Sequence, residues 1–321
     1  MSQASTTVST SPRVAAAMSA LVLAVLLAAL DQTIVSTALP RIARDLHGFN
    51  SIAWVSAAYL LASTAATPLW GKLGDMFGRK RLYLSSTSLF LIASVGCGLA
   101  QNLAELITAR AVQGIGGGGM IVLTFALVGD VVLPAQRGRY QGMFGSVYGV
   151  ASIIGPLLGG IFTDHLSWRW AFLINLPVGA VALAVAARVL PARTRRGTAR
   201  IDYPGALLLA TMATGIILST SFGERWGWTS PRIVGLAVIT LIAATLLPAV
   251  ERRAAAPVLP LRMLASRTVV IGSLIGFVSN AAMFSVLVYL PTYLQIVQGV
   301  SATLSGVTCC PWFSGSSPTG P

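Results

Sequence analysis

The sequence predicts an all-α polytopic membrane protein, and three observations carry that prediction. Hydrophobic residues fill 55% of the 321 positions and charged residues only 10%, whereas a water-soluble surface needs about a quarter of its residues charged. Apolar runs able to cross ~30 Å of hydrocarbon as helices of about 20 residues recur along the chain. The remaining charges are sorted by loop.

Nine spans are expected, at 14–39, 52–70, 82–100, 106–128, 142–162, 170–190, 205–222, 233–250 and 268–292. The first is longer than the apolar region of a signal peptide, carries Asp31 and runs into LPRI with no small-residue cleavage site, so it is read as a retained helix. With the N-terminus in the cytoplasm, sixteen of the 22 Lys/Arg fall on the cytoplasmic side. Five lie opposite (Arg41, Arg44, Arg169, Arg225, Arg232), and Arg110 lies within a span. The positive-inside rule then orients the chain N-terminus inward in the cell membrane. It also accounts for the +13 net charge without a nucleic-acid partner, since the cations sit in short loops and not on a basic face interleaved with aromatics.

Several chemistries find no support. The three cysteines have neither disulfide nor metal spacing. No phosphate-binding G-x-x-x-x-G-K-[ST] occurs. His47 and His165 are far apart in expected outer loops, so a membrane enzyme with a paired base and nucleophile is disfavoured. No cofactor or metal is expected. RAVQGIGGGG at 110–119 contains G-x-G-x-x-G, but no strand precedes it and the run continues as apolar MIVLTFALV. The glycines are therefore read as a surface on which helices approach closely in lipid.

Ionisable residues inside spans cost about 2.5–3.5 kcal/mol each on insertion scales and call for a reason. Asp31 admits two readings: an interfacial charge near the outer helix end, before Pro40 and Arg41, or a carboxylate facing an aqueous cavity where it exchanges a proton or cationic substrate. Arg110, with Gln113 one turn on, either snorkels from a helix end or sits as a fixed cation beside a cavity, as the electrostatic partner of Asp31 or bonded to a backbone carbonyl; an arginine cannot itself carry the proton. Asp130, with Arg137 and Arg139 nearby, reads as part of an ion pair at the cytoplasmic end of the fourth span rather than as a transport residue, a secondary site. Tyr59, Phe125, Tyr148 and Phe284 either line a cavity or pack, and Trp226 and Trp228 suit interfacial anchors.

Between spans two and three stands GKLGDMFGRKR, where Gly71, Gly74 and Gly78 permit a tight turn and Asp75 faces a cluster of cations. This segment resembles the loop signature of the major facilitator superfamily, matching at Gly71, Leu73, Asp75, Gly78, Arg79 and Lys80. RAVQGIGGGG looks like that family's fourth-helix signature, which the resemblance associates with proton coupling. ASIIGPLLGG is similar to its antiporter signature at Gly155, Pro156, Gly159 and Gly160, with Ala151 in the first glycine place. LDQTIVSTALP and WRWAFLINLPVG further resemble the drug:proton antiporters with fourteen helices.

The resemblance implies a proton-coupled exporter of hydrophobic small molecules, whose partners are protons, a small-molecule substrate and the bilayer. Asp31, Arg110 and Gln113 would couple proton and substrate; Gly71, Asp75, Gly78, Arg79 and Lys80 would form a conformational latch; Gly155, Pro156, Gly159 and Gly160 would pack helices that pivot. A six-helix bundle is expected over 1–190, a basic linker over 191–204, an extra helix pair over 205–250, a cytoplasmic loop over 251–267 and the start of a second bundle over 268–307. The ending VTCCPWFSGSSPTGP lacks apolar character. Codons for Thr-Leu-Leu-Pro-Met-Val less one base read as Thr308 to Phe313, so 308–321 is expected to be a frameshifted tail on a truncated chain that is inactive alone. A non-transporting fragment that associates with other membrane proteins is the alternative. Neither substrate identity nor oligomeric state follows from the sequence.

Overall fold

The computed structural model describes residues 12–48, 51–132, 136–190, 202–254, 266–279 and 281–282. They form α1 (Pro12–Asp45), α2 (Ala53–Phe77), α3 (Arg79–Leu99), α4 (Leu103–Val131), α5 (Arg137–His165), α6 (Trp170–Leu173), α7 (Asn175–Val189), α8 (Tyr203–Trp226) and α9 (Pro231–Arg253). A further helix runs over Arg267–Ser279. No strand occurs among the described residues. The first eight expected spans coincide with helices. The ninth is described only over its first half, and the expected tail at 308–321 lies outside the described residues, as does most of the 191–204 linker.

Local chemistry sets the helix ends. Asn102 caps α4 by accepting from the Glu105 amide at 2.9 Å, while Glu105 accepts in return from the Gln101 amide at 2.8 Å; this reciprocal cap satisfies donors that a helix start leaves bare. Asp202 and Ser230 cap α8 and α9, each ahead of a proline in the first turn. α2 stops at Gly78, whose φ of 99° suits only glycine and whose N–H returns to the Gly74 carbonyl at 3.0 Å.

The sixth expected span is one transmembrane passage but two helices, joined at Ile174. Pro177 explains the break. It has no N–H for the Leu173 carbonyl and its ring crowds that carbonyl, so a new helix starts where proline is tolerated, in a first turn. Among the described residues, seven passages are long and apolar enough to span a membrane. α2 is long enough but is not among them, because Trp, Tyr, Ser, Thr and Pro dilute its hydropathy.

α4 packs between α2 and α3, while α1 lies against α5, α7 and α4. Two apolar cores fill the bundle, one around Leu21, Phe90, Met120 and Leu123, the other around Ile34, Leu106 and Phe172. α8 and α9 pair with each other, and α8 rests on α2, where Trp54 and Phe222 meet at 4.7 Å. Leu207, Ile216, Val238, Leu241 and Leu246 on this pair remain exposed, an arrangement suited to hydrocarbon as the solvent.

Candidate functional site

The glycine run of α4 determines how closely its neighbours approach. The helix is continuous through it, so no phosphate-binding turn exists there. A Cβ at Gly114 or Gly118 would strike the backbone of α2 at Tyr59 or Ser63, and one at Gly116 would lie 2.6 Å from the Phe90 amide nitrogen of α3. α2 and α3 thus press against α4 from two sides, and this brings the polar residues one turn earlier on α4 into the bundle centre.

There Arg110 and Gln113, on one face of α4, meet Asp31 of α1, Ser94 and Cys97 of α3, Asn175 of α7 and Tyr59 of α2. Arg110 Nη1 donates to Asp31 Oδ2 at 2.6 Å and to Gln113 Oε1 at 2.7 Å, and its Nε donates to the Val55 carbonyl at 3.2 Å. Asp31 Oδ1 accepts from Gln113 Nε2 and from Asn175 Nδ2, both at 2.9 Å. Ser94 Oγ accepts from Gln113 Nε2 at 2.7 Å and from Asn175 Nδ2 at 3.3 Å, and donates to the Phe90 carbonyl. The Tyr59 ring lies 4.3 Å under the guanidinium, a cation–π contact.

This arrangement decides between the two positional readings of each charge. Asp31 lies near the middle of the 34-residue α1, and the side chains of Asp31 and Arg110 are 0% and 1% exposed. Asp31 is therefore no interfacial charge, and Arg110 does not snorkel. Both charges are held out of water, which costs several kcal/mol per ion and is offset only by close pairing and saturated hydrogen bonding. The carboxylate receives three donors from two helices. Chemically, the centre combines a group that can take a proton with one that cannot release its own.

Ser94 and Asn175 are absent from the site predicted from sequence. The signal was there: each is a polar side chain inside an apolar run, and in lipid such a group must find a partner. Neither carries a charge, so neither stood out beside Asp31 and Arg110.

At the end of the bundle where α2 turns into α3, Arg79 donates to Asp75 Oδ1 through Nη2 at 2.8 Å and Nε at 3.1 Å, and its Nη1 lies 2.9 Å from Asp130 and from the Ala126 carbonyl. Lys80 donates to the Leu190 carbonyl at 2.7 Å. Gly71 faces Val122 of α4, and Gly74 has room only for hydrogen against Leu123. The expected pairing of Asp130 with Arg137 is corrected here. Asp130 pairs with Arg79, whereas Arg137 donates to the Gly129 and Val132 carbonyls, because an arginine so close in sequence reaches the orphan carbonyls at the end of α4 first.

α1 and α5 meet through the expected small residues. A Cβ at Gly155 would strike Thr33, and one at Gly159 would strike Thr37; Thr33 also donates to the Ala151 carbonyl at 3.1 Å. Pro156 lies inside α5. Gly160 is a correction. A Cβ added there would meet no atom of another element within 4 Å among the described residues, because Gly160 lies next to Gly159, about 100° round the helix from the face that meets α1.

Tyr59 is buried as the wall beneath Arg110, Phe125 packs edge-on against Phe144 at 5.5 Å, and Phe284 lies outside the described residues. Tyr148 is partly buried, as are both cores' edges around it. Trp226 stacks on Phe222 at 4.9 Å while Trp228 is exposed. His47 and His165 are exposed, and no group of residues suited to a metal ion occurs among the described residues.

The family model described as Major Facilitator Superfamily matches residues 21–320. The chain is 41% identical over 292 residues to the multidrug transporter protein MdtP of Bacillus subtilis, covering 91% of this chain and 54% of that protein. It is 38% identical over 297 residues to multidrug resistance protein 3 of the same organism, covering 92% and 58%. The chain thus spans about half the length of the curated relatives it matches. Among solved structures, the human organic anion transporter MFSD10 aligns with a TM-score of 0.52 at 17% identity over 75% of this chain and 72% of that one, a likeness of fold.

Proposed function

The chain belongs to the Major Facilitator Superfamily, a family of transporters and not of enzymes, and on that premise we propose that it serves proton-coupled export of hydrophobic small molecules across the cell membrane, with its N-terminus in the cytoplasm. The observation that carries this reading is the buried Asp31–Arg110 pair at 2.6 Å, in a chain similar to proteins named multidrug transporter and multidrug resistance protein.

In the ionised state Arg110 holds α4 to α1, and Gln113 and Asn175 complete the shell around the carboxylate. A proton delivered from water to Asp31 neutralises it, leaves the Arg110 charge uncompensated, and removes the strongest tie between the two helices. Loss of that tie favours rearrangement of the bundle. The proton leaves when the site opens to the other side, and substrate moves in the opposite exchange. Arg79 with Asp75 and Asp130 acts as the latch on the cytoplasmic face, and the Gly155/Gly159 contact supplies the surface on which α5 turns against α1.

The test is proton release on substrate binding. Purified protein in weakly buffered detergent solution is titrated with a lipophilic cationic dye. Uptake of dye with release of protons is expected, and Asp31→Asn should bind without release. Equal release from both proteins, or none from either, would end the proton-coupling reading. Dye efflux from cells measured alongside separates an exporter from a membrane protein that binds but does not transport.

A further inference from the structure

We propose that Asn175 is the proton-responsive partner of Asp31: its side-chain amide donates to the ionised carboxylate and turns over to accept the hydrogen when Asp31 is protonated. This rests on Asp31 being the proton site.

The warrant is an imbalance in the buried network. Asn175 is fully buried and its Nδ2 donates to Asp31 Oδ1 at 2.9 Å, yet its Oδ1 has no hydrogen-bond partner. An acceptor left bare in the interior costs about 1–3 kcal/mol. Every side-chain oxygen and nitrogen of Asp31, Gln113 and Ser94 has a partner.

Protonation reverses what Asp31 needs. The ionised carboxylate only accepts, and donors surround it; the neutral acid carries one O–H that needs an acceptor. Oδ2 faces the Arg110 guanidinium, so the hydrogen belongs on Oδ1, which faces two amides. Gln113 is not free to reverse. Its Oε1 already accepts from Arg110 at 2.7 Å and from the Cys97 thiol at 3.5 Å, and turning it over would aim an NH₂ at the guanidinium.

Asn175 Oδ1 has no such tie; turning its amide over gives up only the 3.3 Å bond to Ser94 Oγ, which keeps its donor Gln113. Rotation of its amide brings the bare oxygen to the Asp31 hydroxyl and exchanges one unmatched acceptor for one unmatched donor. The count of unmatched groups is the same in both states, so the rotation is reversible at little cost. The proton comes from water on the side to which the site is open and returns to water; no bond other than O–H forms or breaks. The ionisable groups within electrostatic reach are Arg110 of α4, Tyr59 of α2 and Cys97 of α3, with Tyr148 of α5 beside Tyr59; Asn175 does not titrate. Its position follows from the helix break ahead of Pro177, which starts α7 at this residue.

The experiment is infrared difference spectroscopy of the whole chain in lipid nanodiscs, between alkaline and acid pH. A protonated-carboxyl carbonyl band that disappears in Asp31→Asn reports Asp31. In Asn175→Ala the band is expected at higher frequency, as for an acid whose hydroxyl lacks an acceptor; in Asn175→Ser, which restores an acceptor with one added oxygen, it returns toward the wild-type position. If Asn175→Ala does not fold by circular dichroism, Asn175→Leu takes its place against Asn175→Ser. An Asp31 band at the same frequency in all three proteins overturns the role of Asn175 and leaves Asp31 as the proton site. Absence of any Asp31-dependent band in the wild type overturns the proton site itself.

Discussion

Arg79 at the start of α3 and Asp130 at the end of α4 lie 2.9 Å apart, and the same guanidinium holds Asp75 at 2.8 Å. One cation thus bridges the α2–α3 turn and the C-terminal tip of the helix that carries Arg110. Asp75 and Asp130 are 55% and 38% exposed, so each pair is worth under ~1 kcal/mol to stability. Such a contact suits a tie that must be broken and remade.

Arg79→Ala is therefore expected to lower thermal stability only slightly while raising the labelling of cysteines introduced along α2 and α4 near the α2–α3 turn. Thiol-labelling rates in membranes check this. A large loss of melting temperature with unchanged labelling would make the cluster structural.

Asp31→Asn should destabilise the bundle by about 3–5 kcal/mol, because it leaves a buried arginine unpaired. Combining it with Arg110→Gln should restore much of that loss without restoring proton release on dye binding. Thermal unfolding in detergent, read beside the proton assay, distinguishes the two effects.

Arg110→Lys should not rescue the site. Arginine reaches Asp31, Gln113 and the Val55 carbonyl from a planar fork, and an ammonium cannot span those positions. Loss of proton release in the lysine variant is expected in the same assay.

Two glycine substitutions should differ in sign. Gly116→Ala sets a Cβ 2.6 Å from the Phe90 backbone nitrogen, where overpacking costs typically ~1–3 kcal/mol. Gly142→Ala has nothing within 4 Å and should gain up to about 1 kcal/mol from helix propensity. Melting temperatures in one detergent provide the comparison.

Much of this architecture was legible in the chain. Eight spans could be placed because hydrocarbon admits few polar residues and a helix must satisfy its backbone internally; Gly78 marks a turn for an equally local reason, whereas the break ahead of Pro177 went unread inside the sixth span. Asp31 and Arg110 could be named because a charge inside an apolar run is conspicuous. Their pairing could be named too, because a buried cation needs a counter-charge; what could not be read is the choice of Asp130 for Arg79 over Arg137, the outward position of Gly160, or the joining of Ser94 and Asn175 to the centre. Each depends on which helix faces end up in contact, and that is decided by close packing of small residues between helices distant in sequence. Periodicity along a single helix carries no record of its neighbours.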